Sequence, residues 1–470
     1  MKLSIFSLLI IITLSTASNL NAQTALKKRP NIVIILADDL GWGDVGFHGS
    51  EIKTPNIDRL SKEGVILNRF YTASICSPTR AGLMTGRFPD RFGLRETVYK
   101  PWSDMGIDTS EVLLPQMLAQ AGYKNRALIG KWHLGHAAKM FLPLQRGFTH
   151  FYGHYNDVVD YFTHKRTGEL DWHNDDETSY DKGYTTDLIT GEAVRSIKAY
   201  SRESSPFFLY VAFNAPHAPL QAKTADVLKY TPQKDAGTFI GIEKIQKPST
   251  DFTDREIYSA MVTSMDDGIG KILATIKQLK IDDNTLVLFF SDNGAGMAAS
   301  GGELRGRKFQ EWDGELRAPA IIKWPNGFKG KRTINKVMGY VDIMPTLKEI
   351  TGIKTKPKIF FDGMSMLPVL LKEKKQVERN LYLGNGAIIN NDWKLIVAGK
   401  ANERTNLKKD VLIKIATDVS EKKDVKDEYP LVYKNLLEAV KTFDEIKAAK
   451  TVKDEGERSF KAPKNWEILK

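Results

Sequence analysis

Acidic and amide side chains follow two apolar runs of the sequence, at positions where they could bind a metal ion. Asp38 and Asp39 come after one run, and Asp292 and Asn293 come after another. Three carboxylates and an amide carbonyl form an all-oxygen ligand set, which suits Ca²⁺ or Mg²⁺ better than zinc or copper. A single acidic pair at a strand end is also common as a helix cap or a turn. The prediction of a metal site therefore depends on the two pairs meeting in space.

The chain contains one cysteine in 470 residues, Cys76, which begins the segment CSPTRAGLMTGR. One cysteine cannot form an intramolecular disulfide, so packing has to provide the stability of the protein. In an exported protein an unpaired cysteine indicates intermolecular pairing, a residue with no special role, or a special reactivity. The residues alone leave these three interpretations open.

Basic side chains in three further segments could contact an anion. Lys131 and His133 lie two residues apart in GKWHLGH, and His217 stands between two prolines that stiffen the backbone. For each histidine the alternative is a surface ring with its hydrogen bonds satisfied. A cluster of basic residues surrounds Trp312 in LRGRKFQEWDGELRAP and comprises Arg305, Arg307, Lys308 and Arg317. This cluster is either a basic surface loop or a clamp for a divalent oxyanion.

The elements that must position these residues are those of an α/β fold. Apolar runs rich in β-branched residues at 31–36, 206–213 and 284–295 are typical of central parallel strands. Helical patterns in EVLLPQMLAQAGY and YSAMVTSMDDGIGKILATIKQLK lie between them. The alternation predicts a large, mostly parallel sheet flanked by helices. Because ligands gather outside the carboxyl ends of such strands, the polar clusters are predicted to share one site.

The N-terminal and C-terminal parts of the sequence differ from this α/β region. Residues 1–22 combine a basic start, an apolar stretch and small residues before Ala22, which predicts a signal peptide, with a membrane anchor as the alternative. No later run is long enough to span a membrane. We therefore expect a soluble exported protein, periplasmic or extracellular. We predict a catalytic domain over 23–375 and a subdomain over 376–470 that contains an antiparallel hairpin and an amphipathic helix. The aromatic, charged segment 154–184 is interpreted as a loop over the site.

The net charge of +11 favours anionic partners. Nucleic acid is anionic and would fit this charge, but the lysines are dispersed among acids and no nucleic-acid-binding motif is present. We expect no nucleic-acid partner.

The ordered set of motifs resembles the type I sulfatases. In that family Cys-x-Pro-x-Arg directs oxidation of the cysteine to formylglycine (3-oxoalanine), and the segment beginning at Cys76 fits this signature. The segments DDLGWGDVGFHGS, GKWHLG, LQRGFTHFYG, APHAPL, SDNGA and the Lys308 loop also occur in family order. The resemblance covers nearly the whole chain after residue 29, and it implies an alkaline-phosphatase-like sandwich with a small C-terminal α+β subdomain. The arylsulfatase B (N-acetylgalactosamine-4-sulfatase) branch is the most similar.

The resemblance also implies roles for individual residues. One Ca²⁺ per chain would be held by Asp38, Asp39, Asp292, Asn293 and the formylglycine made from Cys76. The hydrated aldehyde would supply the hydroxyl nucleophile, and its second hydroxyl would allow the sulfated intermediate to collapse by itself. Arg80 and Lys131 would position that group. His217 and Lys308 would contact sulfate and protonate the leaving oxygen, and His133 would act as a base.

The substrate implied by the family is a sulfate ester on a sulfated oligosaccharide or polysaccharide, either algal, such as ulvan or carrageenan, or a glycosaminoglycan. Closed pockets in this branch favour a terminal sulfate. The implied protein partner is a formylglycine-generating enzyme or an anaerobic sulfatase-maturating enzyme. Specificity candidates are Arg305, Trp312, Asp157 and His164. One departure is that the usual Glu-Gly-Gly is here Asp313-Gly314-Glu315, so that Glu315 would add negative charge if it faces the site.

Two other functions fit parts of the pattern. A phosphomonoester or phosphonate hydrolase of the same superfamily could use the same core, although a binuclear zinc enzyme would need more clustered histidine and aspartate ligands. An inactive carbohydrate-binding relative is the second, and the intact basic and cysteine motifs argue against it.

Overall fold

The apolar run predicted as a central strand lies in the middle of a large sheet. The computed structural model describes residues 28–94, 97–231, 252–354, 360–372, 378–399, 404–446, 448, 450 and 452. The predicted signal peptide lies outside these residues, and so do residues 373–377 at the boundary between the two predicted domains. Among them, no helix has both the length and the apolar character needed to cross a membrane.

The described strands are, in chain order, β1 (Asn31–Ala37), β2 (Val65–Leu67), β3 (Phe70–Tyr71), β4 (Arg126–Lys131), β5 (His150–His154), β6 (Lys165–Arg166), β7 (Glu169–Leu170), β8 (His173–Asn174), β9 (Glu177–Thr178), β10 (Phe208–Ala212), β11 (Thr285–Ser291), β12 (Arg317–Ala318), β13 (Ala320–Lys323), β14 (Arg332–Ile334), β15 (Met338–Gly339), β16 (Leu381–Gly384), β17 (Ala387–Ile389), β18 (Lys394–Ile396) and β19 (Val411–Ile413).

The described α-helices are α1 (Pro55–Glu63), α2 (Cys76–Thr85), α3 (Leu114–Gln120), α4 (Thr185–Tyr200), α5 (Thr224–Val227), α6 (Asp254–Gln278), α7 (Asp313–Leu316), α8 (Ile343–Ile350), α9 (Leu367–Leu370) and α10 (Pro430–Asp444). Short 3₁₀ turns occupy Trp42–Asp44, Gly46–His48, Pro89–Phe92, Lys139–Phe141, Pro143–Arg146, Asp282–Asn284 and Tyr340–Asp342.

The large sheet has ten strands in the order β14-β2-β13-β11-β1-β10-β4-β5-β8-β9. Its central strands, from β11 through β1, β10 and β4 to β5, all pair in parallel, whereas antiparallel pairings join β13 and β8 to their neighbours. Helices cover both faces. These observations confirm the predicted α/β fold with a large, mostly parallel sheet.

Alternation along β1 explains why its sequence is apolar without interruption. Ile32, Ile34 and Leu36 belong to one buried cluster, which also contains residues of α2, α3 and α8. Val33 and Ile35 belong to a second cluster on the opposite face, together with residues of α1, α4 and α6. Because successive side chains point to opposite faces of a strand, a strand covered on both sides has to be apolar at every position.

The C-terminal part forms a separate antiparallel sheet in the order β16-β17-β18-β19. Ile388, Leu395 and Leu412 of this sheet pack against Leu436 and Val440 of α10 in a small cluster of their own. The predicted small C-terminal α+β unit with an antiparallel sheet is therefore present. The exact domain boundaries at 375 and 376 stay a prediction.

The segment 154–184 is more regular than its sequence suggests. It contains the β6–β7 hairpin and the β8–β9 hairpin, and β8 extends the large sheet by pairing with β5. Tyr155, Tyr161 and Trp172 are buried within it. Most of the segment lies outside strands, as the predicted loop requires, but the two short hairpins within it were not predicted. The strands are only two residues long, too short for a periodic pattern to be visible in the sequence.

Candidate active site

The acidic residues meet because β1 and β11 are adjacent and parallel. Ala37 at the end of β1 lies opposite Ser291 at the end of β11, so that Asp38 and Asp292 leave the sheet at the same edge. The Asp39 amide donates a hydrogen bond to Asp292 Oδ1 at 3.3 Å. The structure thus brings together the two acidic pairs that lie some 250 residues apart in sequence.

These side chains offer a set of oxygen atoms suited to a cation. Ligand atoms of Asp38, Asp292 and Cys76 all lie within 4.8 Å of one another, and those of Asp38, Asp39 and His217 form a second group with the same spacing. Asp38 Oδ1 and Asn293 Oδ1 are buried and lack a hydrogen-bond partner. Because buried acceptors usually have a partner, these two oxygens are available to a cation at the end of the two strands. The residues therefore fit a hard metal ion such as Ca²⁺.

Three cations surround the three carboxylates. Lys131 Nζ donates to Asp38 Oδ2 at 2.5 Å, and both side chains are fully buried. Two other pairs complete the group: Arg80 Nη2 donates to Asp292 Oδ2 at 2.8 Å, and Lys308 Nζ donates to Asp39 Oδ1 at 2.5 Å. A buried carboxylate is stable only when it is paired, so these contacts keep the acidic cluster charged.

The surroundings shift the pKa values of the carboxyl groups in opposite directions. Burial alone would raise the pKa of Asp38, but Lys131, His217 and Arg80 outweigh it and hold that pKa far below its ordinary value. Burial raises the pKa of Asp292, and the neighbouring Asp38 carboxylate acts in the same direction, against Arg80. Of the two strand-end carboxyls, Asp292 is therefore the one that accepts a proton more readily.

Cys76 is the first residue of α2, a helix in which every residue is buried. Its side chain is 5% exposed. Burial raises the pKa of the Cys76 thiol to about 11, although Lys131 and Lys308 oppose this. The unmodified thiol is therefore neutral and a poor nucleophile. The interpretations that require a reactive thiolate are not favoured by this environment.

His133 faces the cluster in a neutral state. Its Nε2 lies 3.1 Å from the Tyr99 carbonyl oxygen, and since a carbonyl can only accept, Nε2 carries the proton. Nδ1 is buried without a hydrogen-bond partner and keeps a free lone pair. Burial lowers the pKa of His133 well below its ordinary value, and Lys131 and Arg80 add to the effect. His133 therefore offers a free lone pair at Nδ1, while its surroundings disfavour the charged imidazolium form.

His217 is held by its own loop and by Tyr161. Its Nε2 lies 3.5 Å from Asp39 Oδ2, and Nδ1 contacts the Ala218 carbonyl oxygen at 2.6 Å. The Tyr161 hydroxyl group lies 2.7 Å from the Asn214 carbonyl oxygen and 2.9 Å from the His217 carbonyl oxygen, and is positioned to donate to both. Tyr161 was not predicted as a site residue. It lies in a segment without periodicity, and nothing in the sequence connects it with the loop after β10.

The four specificity candidates contact residues other than the carboxylates of the acidic cluster. Arg305 stacks on buried Trp312, with its guanidinium carbon 3.7 Å from the ring centroid. Asp157 pairs with Arg166, and the His164 ring is buried and contacts the Gly183 carbonyl oxygen. In the described part of the chain, no hydrogen bond or ion pair joins any of the four to the acidic cluster. Their part in specificity stays a prediction.

Glu315, where the sequence departs from the family pattern, is fully buried directly behind the acidic cluster. Its backbone carbonyl accepts a hydrogen bond from Gly294, next to Asn293, at 2.7 Å. Burial raises the pKa of the Glu315 carboxyl well above its ordinary value, although Lys308 opposes this. The residue faces inward, and its raised pKa favours the protonated, uncharged form of the carboxyl group.

Contacts with the C-terminal sheet hold the segment that carries Lys308 in place. Lys394 of β18 lies 2.8 Å from Asp313 Oδ1 and 2.7 Å from Glu421 Oε1, and all three side chains are completely buried. The Asp313 amide donates to Glu421 Oε2 at 2.6 Å. These residues were also missed by sequence reasoning, because a single lysine within a short strand carries no signal of a buried ion pair.

Comparison with known proteins places this site in context. Residues 30–353 match the family model described as Sulfatase. The N-acetylgalactosamine-6-sulfatase of Mus musculus is 35% identical over 384 residues, which are 76% of this chain and 69% of that protein. The structure of Ps i-CgsB in complex with k-i-k-neocarrahexaose aligns with a TM-score of 0.80 and 28% identity, over 91% of this chain and 96% of the other.

A fourth match is informative about fold alone. The phosphonate monoester hydrolase of Agrobacterium radiobacter aligns with a TM-score of 0.58 and 21% identity, over 88% of this chain and 95% of the other. The same sandwich is therefore shared with an enzyme that acts on a different oxyanion ester.

Proposed function

The chain belongs to the sulfatase family and is a sulfuric ester hydrolase, and from that premise we propose that it removes sulfate from oligosaccharides derived from sulfated polysaccharides. The proposal includes a formylglycine made from Cys76 and one bound Ca²⁺. The observation that carries it is the position of Cys76 Sγ, within 4.8 Å of ligand oxygens of Asp38 and Asp292 at the buried start of α2.

The metal would be held by Asp38, Asp39, Asp292 and Asn293, together with the modified residue 76. Two of these residues, Asp38 and Asn293, have the buried unpartnered oxygens described above. A bound divalent cation would lower the cost of forming an alkoxide and would neutralise charge on sulfate, and the hydrated aldehyde would supply the hydroxyl group that attacks sulfur.

The chain's own residues would divide the remaining tasks. Arg80 and Lys131 are fully buried and paired with Asp292 and Asp38, so they would fix the ligand carboxylates and position residue 76. Lys308 and His217 line the more open side, with 14% and 18% of their side chains exposed, and would contact the sulfate group and donate a proton to the leaving oxygen. His133, neutral with a free Nδ1, would take a proton when sulfate is released.

A carbohydrate substrate is supported by the relatives. The mouse protein is named as a sulfatase of N-acetylgalactosamine, and Ps i-CgsB was solved with a neocarrahexaose. Algal polysaccharides and glycosaminoglycans are both consistent with these neighbours. We further propose export by the signal peptide to the periplasm or beyond, with a formylglycine-generating or anaerobic maturating enzyme as partner.

Mass spectrometry of the tryptic peptide that contains Cys76 provides the test. After co-expression with a maturating enzyme, we expect conversion to the aldehyde, together with release of sulfate from sulfated oligosaccharides. Cys76→Ala should abolish sulfate release while the circular dichroism spectrum and thermal midpoint stay close to those of the wild type. Full activity of Cys76→Ala, or of protein in which residue 76 is entirely unmodified cysteine, would refute the mechanism.

The alternative of a phosphomonoester or phosphonate hydrolase is supported by the shared fold alone. Among the described residues, two groupings have metal-ligand spacing; both include Asp38, and only one of them contains a histidine, His217. A binuclear zinc site requires more nitrogen and carboxylate ligands than this. Parallel assays with matched sulfate, phosphate and phosphonate monoesters distinguish the two, since a higher kcat/KM on the phosphorus esters would favour the alternative.

A further inference from the structure

We propose that Arg404 forms a second anion-binding subsite beside Lys308, with Phe309 as its support, and that it binds a sulfate or carboxylate on the sugar next to the one that loses sulfate. The inference rests on the proposed function and narrows its substrate to oligosaccharides with two neighbouring anionic groups. Arg404 lies in the C-terminal subdomain, whereas Phe309 follows Lys308 in the loop before α7.

Phe309 is held in an exposed position immediately beside the acidic cluster. Its side chain is 43% exposed, and its φ of +74° is unusual for any residue with a bulky side chain. Such strained backbone persists where surrounding contacts enforce it, and it is common at ligand-binding sites. The preceding residue, Lys308, contacts Asp39 at 2.5 Å. The Phe309 ring is therefore fixed at the rim of the site.

The guanidinium group of Arg404 lies over this ring, with Cζ 4.2 Å from the centroid. Lys308 Nζ is 5.8 Å from the same centroid, so the two cations can be no farther apart than the sum of these distances. A guanidinium group over an aromatic ring contacts the ring through its face, so the N–H groups along its edge stay free to donate hydrogen bonds. In that orientation it can bind a planar carboxylate or two sulfate oxygens through paired hydrogen bonds.

The backbone around Arg404 is tied to the Lys308 loop. The Arg404 carbonyl oxygen accepts a hydrogen bond from Gln310 Nε2 at 3.4 Å, and Thr405 Oγ1 accepts one from the Glu311 amide at 3.1 Å. Thr405 also donates to the Glu311 carboxylate. The position of Arg404 relative to Lys308 is thus set by contacts between the two segments.

A second exposed phenylalanine provides a comparison for the stacking of Arg404 on Phe309. Phe360 also has arginines over its ring, Arg91 at 4.6 Å and Arg87 at 5.3 Å. Arg91 is paired with Asp362 and Arg87 with Glu111, so their charges are already neutralised. In the part of the chain that the structure describes, the Arg404 guanidinium has no carboxylate partner. Its charge is available to a ligand.

The experiment uses the full-length matured enzyme and three disaccharides that carry the same scissile sulfate. The neighbouring sugar is sulfated in the first, carboxylated in the second and neutral in the third. The enzyme variants are Arg404→Ala, Arg404→Lys and Phe309→Ala, with Phe360→Ala as the matched control. Binding to the same variants in a Cys76→Ala background, measured calorimetrically, gives a readout that does not depend on turnover.

For Arg404→Ala we expect KM and Kd to rise about tenfold on the two-anion substrates, because a charge-assisted pair is lost. On the neutral substrate the rise in KM and Kd should be at least fivefold smaller. Arg404→Lys should restore part of the loss, Phe309→Ala should show a smaller loss of the same selectivity, and Phe360→Ala should match the wild type. The substrate on which Arg404→Ala loses more affinity, the sulfated or the carboxylated one, identifies the anion that the subsite prefers.

Equal effects of Arg404→Ala on all three substrates, with sulfate still released, would overturn the subsite and leave the proposed function intact. Failure of the wild type to release sulfate from any sulfated sugar would overturn both.

Discussion

Lys394 Nζ lies 2.8 Å from Asp313 Oδ1, and this contact joins the small C-terminal sheet to the segment that carries Lys308. Neither side chain is exposed to solvent. Asp313 also accepts a hydrogen bond from the Tyr71 hydroxyl group at 2.9 Å. One buried ammonium group therefore connects the C-terminal subdomain with β3 and with the loop at the mouth of the site. The subdomain is a structural component of the active site and not only an appendage to it.

Replacing Lys394 with methionine should destabilise the protein by about 3 kcal/mol, because it removes the ammonium group that contacts both buried carboxyls and leaves Asp313 with only the more distant Arg317, at 3.8 Å. The matched control is Lys409→Met, in the same subdomain. Lys409 is 69% exposed and lies 3.6 Å from Asp424, so we expect a change below about 0.5 kcal/mol. Urea denaturation of both variants provides the measurement. Equal effects of the two substitutions would show that the Lys394 contacts contribute nothing specific.

The stability of the protein should depend on pH through Glu421. Burial and the neighbouring Asp313 carboxylate raise the pKa of Glu421 from 4.5 to about 7, against the opposing effect of Lys394. Between these values the folded protein retains a proton that the unfolded chain releases. The free energy of unfolding should therefore fall as pH rises from 4.5 to 7, with a slope of at most about 1.4 kcal/mol per pH unit from this group.

The Glu421→Gln variant isolates this contribution, since glutamine cannot titrate. Subtracting its stability profile from that of the wild type cancels the other ionisable groups. We expect a difference that changes steadily across the window and is flat above pH 8. Two parallel profiles would show that Glu421 does not titrate there.

Tyr161 should affect catalysis through the position of His217. Tyr161→Phe keeps the ring, which stacks with Tyr184, but removes the donor to the Asn214 and His217 carbonyl oxygens. We expect a loss of about 1 kcal/mol in stability, because the hydroxyl hydrogen bond is lost while the Asn214 carbonyl oxygen still accepts from the His217 amide at 3.0 Å. We also expect kcat/KM for sulfate release to fall roughly tenfold.

The control for Tyr161 is Tyr433→Phe, which removes a hydrogen bond of similar length, 2.7 Å to Asp410 Oδ2, in α10. Its kcat/KM should equal that of the wild type. A loss of stability in Tyr161→Phe with unchanged kcat/KM would show that the hydroxyl group is structural and does not position His217.

The parts of the molecule that could be predicted from sequence are those encoded by neighbouring residues. The apolar runs of β1, β10 and β11 are continuous because the sheet is covered on both faces, and the polar residues that end them fall at one edge of a parallel sheet. Lys394 and Tyr161 could not be predicted in the same way. Their partners are 81 and 56 residues away, and the contacts arise only when separate elements pack together.

The two hairpins within the segment 154–184 were not predicted for a related reason, since strands of two residues are too short to show a periodic pattern. Glu315 shows a further limit. Its sequence position suggested an added negative charge, whereas full burial raises the pKa of the carboxyl group and so opposes that charge. The charge of a side chain depends on its surroundings, which composition and motif do not report.

Removal of the metal should lower both stability and activity. Treatment with EGTA should lower the thermal midpoint, because the buried oxygens of Asp38 and Asn293 lose their ligand. Addition of Ca²⁺ at a hundred times its Kd should restore about 2.7 kcal/mol of stability.

Asn293→Ala removes one ligand oxygen and should shift the Ca²⁺ titration of the thermal midpoint to roughly tenfold higher concentration. Asn68→Ala removes a surface amide that donates to Asn335 at 2.8 Å; it serves as the control and should titrate like the wild type. A thermal midpoint that responds to neither EGTA nor Ca²⁺, or stoichiometric zinc in the purified protein, would exclude the calcium site.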